Sequence, residues 1–133
     1  MGWQQVQILC VIAISGALGA LARYGTMLLA IRLWGDRFPY GTLIVNTLGC
    51  LAIGLAAAAL PEPHDKTAAG WWLRHSLMIG FLGAYTTFST FSLDTLMQLE
   101  SGQALPAGLN VVANVALCLA ATWIGLKIGQ AAF

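Results

Sequence analysis

Four stretches of this 133-residue chain are long and apolar enough to cross a lipid bilayer, and they constrain its fold more than any other feature. A crossing helix needs about 20 predominantly apolar residues. The stretches run from about Gln4 to Ile31, Tyr40 to Leu60, Trp71 to Leu99 and Ala104 to Ile128. Only 8% of the residues are charged and 59% are hydrophobic, whereas a soluble domain carries about 25% charged residues. So few charges cannot clothe a water-facing surface. In lipid, a segment must satisfy its own backbone groups, which selects helices. The expectation is an all-α membrane protein of four transmembrane helices, with residues 1–133 forming a single domain.

Val6–Ala22 has no Lys or Arg before it, so it reads as a retained span rather than a cleaved signal peptide. Trp3, Trp34, Trp71 and Trp72 fall near the proposed span ends, where interfacial aromatics belong. The formal net charge of +1 supplies no basic patch, so nucleic acid is not an expected partner. Cys10, Cys50 and Cys118 are far apart in apolar runs, and their spacing suggests neither a zinc site nor a disulfide frame. Small residues recur at helix-contact spacing in Ser15/Gly19, Cys50/Gly54 and Gly125/Gly129, which implies close packing of helices or subunits.

The third stretch departs from an ordinary span. Gly83-Ala84-Tyr85-Thr86-Thr87-Phe88-Ser89-Thr90-Phe91-Ser92 brings hydroxyls and aromatic rings to mid-membrane depth. Gly and Thr are poor helix formers, and hydroxyls compete for backbone partners. A helix broken at mid-membrane is therefore expected, and such backbone survives only where it is buried in protein or lines a watery cavity. Polar residues also recur on the neighbouring spans: Thr42 and Asn46 on the second, then Asn110, Asn114, Cys118 and Thr122 on the fourth. A lining of amide and hydroxyl donors, with no carboxylate before Asp94, suits an anion that must shed water without being trapped. Each of these residues equally fits an interhelical hydrogen bond, the favoured reading for Asn110 and Thr122. Phe88 and Phe91 share a helical face and could aim positive ring edges at an anion, or simply pack in the core.

These segments resemble the signatures of the Fluc (CrcB) family of fluoride channels. The match lies in Gly83-x-x-Thr86-Thr87-Phe88-Ser89-Thr90-Phe91-Ser92-x-Asp94, in Gly16-x-x-Gly19-Ala20-x-x-Arg23-Tyr24, and in Gly41-Thr42-Leu43-x-Val45-Asn46-x-x-Gly49. The motifs occur in family order and cover essentially the whole chain. The resemblance implies a fluoride-selective channel of the bacterial inner membrane, assembled as an antiparallel, dual-topology homodimer. It implies a fluoride pathway of Asn46, Phe88, Phe91, Ser89, Thr90, Asn114 and Thr42, with Arg23 at the vestibule. It further implies that the carbonyls of Gly83 and Thr86 hold a structural sodium ion at the dimer centre. Asp94 stands where many relatives have Glu, and the fourth-helix track departs from the usual Tyr, His or Ser.

A small multidrug exporter is the alternative, but it requires a membrane-embedded carboxylate, and the first span has none. An enzyme is not expected: His64 and His75 form no nucleophile–base or metal-ligand constellation. With four crossings, Lys66, Arg74 and Lys127 would share one side of the membrane, and Arg23, Arg32 and Arg37 the other. The positive-inside rule then has nothing to act on, so insertion in both orientations is expected.

Overall fold

The computed structural model describes residues 2–60 and 68–133, with residues 68 and 69 described by their backbone alone. Among the described residues the chain is helical, without strands. Its elements are α1 (Trp3–Trp34), α2 (Tyr40–Ala59), α3 (Ala68–Arg74), a π-helix (His75–Leu82), α4 (Gly83–Tyr85), α5 (Phe88–Glu100) and α6 (Ala104–Ala132). Most of the link between the second and third stretches, with His64 and Lys66, lies outside the described residues.

Three helices, α1, α2 and α6, are long and apolar enough to cross a membrane. Their apolar residues do not form one inward stripe; Leu18, Leu21, Leu119 and Trp123 are exposed. Helices apolar all round belong in lipid, and the chain is a multi-pass integral membrane protein. The stretch expected as a third span, Trp71–Leu99, is divided among α3, the π-helix, α4 and α5, none of them long enough to cross alone. Its main break lies at Thr86 and Thr87, both extended, with ψ of 158° and 111°. The preceding π-helix was not legible in the sequence.

Glycine ends two of the helices. Gly35 follows α1 at φ 78° and Gly102 follows α5 at φ 75°, a left-handed geometry that is strained for residues with a Cβ. Each donates its N–H back into the last turn, to the carbonyls of Ile31 and Leu99 at 2.8 and 3.0 Å.

Small residues set how the helices pack. α2 and α6 make the most extensive contact and run parallel. Asn46 bonds Asn114, Gly54 lies against Thr122 and Leu126, and Gly125 lies against Leu51 and Leu55. A Cβ on Gly54 would stand 2.9 Å from the Leu126 nitrogen, so this approach requires glycine. On the other side, α1 lies along the π-helix and α4, with Gly19 on the Phe81 backbone and Ser15 on Gly80. Arg23 and Thr26 reach Thr86 and Tyr85, so those elements also run parallel to α1. α5 runs antiparallel to α2, because Asn46 meets Thr87 whereas the earlier Thr42 meets Asp94.

Candidate functional site

The break at Thr86–Thr87 leaves the Thr87 N–H without its helical acceptor, and Asn46 bonds both that N–H and the Thr87 carbonyl. The Thr87 N–H donates to Asn46 Oδ1 at 2.8 Å, and Asn46 Nδ2 donates to the Thr87 carbonyl at 3.1 Å. Nδ2 spends its other hydrogen on Asn114 Oδ1, also at 3.1 Å. The network continues: Asn114 Nδ2 donates to Asn110 Oδ1 at 2.9 Å, and Asn110 Nδ2 donates to Thr95 Oγ1 at 2.9 Å. All three amides are buried, Asn110 completely. An unpaired polar group here would cost about 1–3 kcal/mol, and the ladder removes that cost by joining α2, α6 and α5.

Thr87 also starts α5. Its Oγ1 accepts from the Thr90 N–H at 3.1 Å, an N-cap, and lies 3.0 Å from the Thr90 hydroxyl and 3.2 Å from that of Ser89. Because the Thr87 N–H turns to Asn46, the Gly83 carbonyl loses the donor that a continued helix would give it. The Thr86 carbonyl accepts from Arg23 Nη1 at 3.4 Å. Gly49 provides the space: Thr86 and Tyr85 lie directly against it, where any Cβ would collide with the Thr86 methyl.

Beside this break is a groove of about 410 Å³. Asn46, Asn114, Thr86 and Thr87 supply its polar lining, and Phe88, Phe91, Leu82 and Leu119 are among its apolar lining residues. Among the described residues, no charged one lines it. The rings of Phe88 and Phe91 stand 5.2 Å apart, tilted by 58°. They are not equivalent: Phe91 is only 8% exposed, whereas Phe88 is 77% exposed. Packing accounts for Phe91 and leaves Phe88 unexplained.

The structure thus gathers Asn46, Asn114, Phe88, Phe91, Gly83 and Thr86 around one groove. It sets the other expected site residues elsewhere. Thr42 donates to Asp94 Oδ2 at 2.7 Å, and both line a second groove of about 540 Å³ with Asp36, Arg37 and Gln98. Ser89 and Thr90 cluster on Thr87 at the start of α5, outside the lining of the Phe groove. Arg23 is half-buried behind the break. Sequence reasoning singled out neither Thr87 nor Gly49. The available signal for Thr87 was a hydroxyl residue standing before the run Phe88–Glu100, the place of an N-cap.

Comparison with known proteins fits this geometry. The family model of the CrcB-like protein, Camphor Resistance (CrcB), matches residues 10–126. The chain belongs to the CrcB family. Among similar family members is a protein of Coxiella burnetii (strain Dugway 5J108-111), named a fluoride-specific ion channel FluC. It is 46% identical over 112 residues, covering 84% of this chain and 89% of the relative. A Vibrio campbellii protein of the same name is 44% identical over 124 residues, or 93% of this chain and 95% of the relative. A third, from Geobacter sp. (strain M21), is 44% identical over 126 residues, covering 90% and 94%. The motifs around Arg23, Asn46 and Phe88 all fall inside the stretch that the CrcB model matches.

Proposed function

We propose that this chain forms a fluoride-selective channel that lets cytoplasmic fluoride leave the cell passively and so confers fluoride resistance. The observation that carries this reading is the uncharged groove at the Thr86–Thr87 break, with the exposed Phe88 at its edge, in a chain whose CrcB relatives are named fluoride-specific ion channels. A ring carries positive charge on its edge and negative charge on its face. Two tilted rings can therefore favour a small anion without a fixed charge that would hold it in place. In acidic surroundings fluoride enters as neutral HF and is trapped inside as the anion, and an inside-negative potential drives it out. The bacterial inner membrane is where such a channel works. No observation favours the multidrug exporter: Asp94 is tied to Thr42 in the other groove, away from the rings.

In this reading Asn46, Asn114, Phe88 and Phe91 line the fluoride path. Ser89, Thr90 and Thr42 extend it toward the membrane faces, and Arg23 draws anions to the vestibule. The parallel pairing of α2 with α6, and of α1 with the π-helix and α4, supports four crossings, with the broken stretch as the third. The active form would be an antiparallel homodimer of oppositely inserted copies. The Gly83 and Thr86 carbonyls would hold a sodium ion at its centre. The break supports this, since it leaves Gly83 without its helical donor and brings both residues to one groove wall. The positive charge of that ion would offset part of the cost of burying an anion. Ion-replacement diffraction should place density on those two carbonyls; an ordinary water there would refute the sodium assignment.

Phe88→Ile tests the pathway. Because Phe88 contributes little buried area, the variant should elute and melt like the parent protein while its fluoride flux in liposomes falls sharply. Unchanged flux would take Phe88 off the fluoride path.

A further inference from the structure

The α2–α6 seam carries a feature that fluoride conduction does not use. The two helices run parallel, and two contacts two turns apart share one offset. Asn46 pairs with Asn114 and Gly54 with Thr122. Between these two contacts the same offset sets Cys50 against Cys118. Both thiols are free and half-buried, and both line the groove that holds Phe88 and Phe91. The Cys118 sulfur lies beside the Cys50 thiol. The glycine contact one turn away holds the helices too closely for the pair to drift apart.

We propose that Cys50 and Cys118 form a two-sulfur site for a soft, thiophilic metal ion, and that its occupancy closes the groove to fluoride. Thiolates select soft ions, and the donor set excludes harder ones. Structural zinc takes four ligands, yet among the described residues no group of three or more His, Cys, Asp or Glu could hold a metal. Two facing sulfurs suit an ion content with linear, two-coordinate binding, such as Hg²⁺, Ag⁺ or Cu⁺. With Hg²⁺ two S–H bonds break, two Hg–S bonds form and two protons pass to the buffer. No electron is transferred, and the site is left neutral. Block by Hg²⁺ therefore comes from filling the groove and clamping α2 to α6, not from charge.

The test uses the full chain carrying C10S, which removes the exposed third thiol at the far end of α1. One equivalent of Hg²⁺ is added to purified protein, and bound metal is read by native mass spectrometry after excess metal is removed. C10S protein should retain one mercury per chain, with the loss of two hydrogens. C10S/C50S and C10S/C118S should lose it under the same washing, and their elution on size exclusion checks that they remain folded. Equal retention by either serine variant, or none by C10S alone, would overturn the site. In liposomes, Hg²⁺ should abolish fluoride efflux by C10S protein, and a dithiol should restore it. Full efflux with mercury bound would overturn the placement of the thiols on the path. The flux arm rests on the channel reading, but the binding arm does not: mercury retention by protein that never passes fluoride would sustain the site while defeating the channel.

Discussion

In the proposed channel, Asn46 would serve structure and pathway together. Its amide substitutes for the helix at Thr87, giving and taking one backbone hydrogen bond, and it ties Asn114 to the same point. With both Nδ2 hydrogens committed, an ion in the groove must compete with the Thr87 carbonyl or Asn114 for them. Asn46→Asp separates these demands. A carboxylate can still accept from the Thr87 N–H, but its second oxygen would face the Thr87 carbonyl and Asn114 Oδ1, both acceptors. A fixed negative charge about 4 Å from a passing anion also opposes it by roughly 4 kcal/mol at an effective dielectric of about 20. That corresponds to about a thousandfold in occupancy. Fluoride flux through purified, monodisperse Asn46→Asp should fall below detection; parental flux would place the ion path away from Asn46.

Among the elements, the α2–α6 seam was the most legible in the sequence and the broken stretch the least. The pairs Cys50/Gly54 and Gly125/Gly129 pointed to close helix approach, and the Gly125 partner is now the Leu51 backbone. Gly125→Ala should therefore destabilise the protein. Alanine normally gains about 1 kcal/mol over glycine in a helix, but this Cβ would collide with the Leu51 carbonyl and sit 3.0 Å from the Leu55 nitrogen. Rigid backbone cannot yield cheaply, and overpacking costs about 1–3 kcal/mol. Gly108→Ala on the same helix meets nothing within 4 Å and should be neutral or stabilising. Denaturation midpoints of the two variants check the contrast, and equal midpoints would contradict the seam. The run of glycine and hydroxyl residues announced irregular backbone near Thr86, because those residue types favour neither helix nor lipid. It could not announce the π-helix, whose local sequence, His75–Leu82, is ordinary apolar helix apart from His75, Ser76 and Gly80. Nor could periodicity show which polar residues pair across helices. Asn110 and Asn114 read as one stripe, yet Asn110 is wholly enclosed while Asn114 also faces the groove.

For the molecule as a whole, the surface raises the question of what surrounds it. Leu18, Leu21, Leu119 and Trp123 suit contact with lipid, but Phe88 and the exposed Gly83 lie beside polar backbone at the break. An oppositely inserted second copy is the partner proposed here, and the even balance of Lys and Arg across the expected spans is its sequence counterpart. Reporters fused to the C-terminus should give signal from both sides of the membrane. Two or three added Lys on one side should fix a single orientation and abolish flux until an oppositely biased copy is co-expressed; a one-sided result for the unmodified chain would defeat dual insertion. The central claim, a fluoride-selective pore, is tested most directly by ion efflux. Purified protein in liposomes loaded with fluoride or chloride, with a potassium ionophore carrying the countercharge, is followed with the matching ion-selective electrode. The expected result is rapid fluoride efflux with chloride retained; chloride leaving as readily as fluoride, or neither leaving, would contradict it.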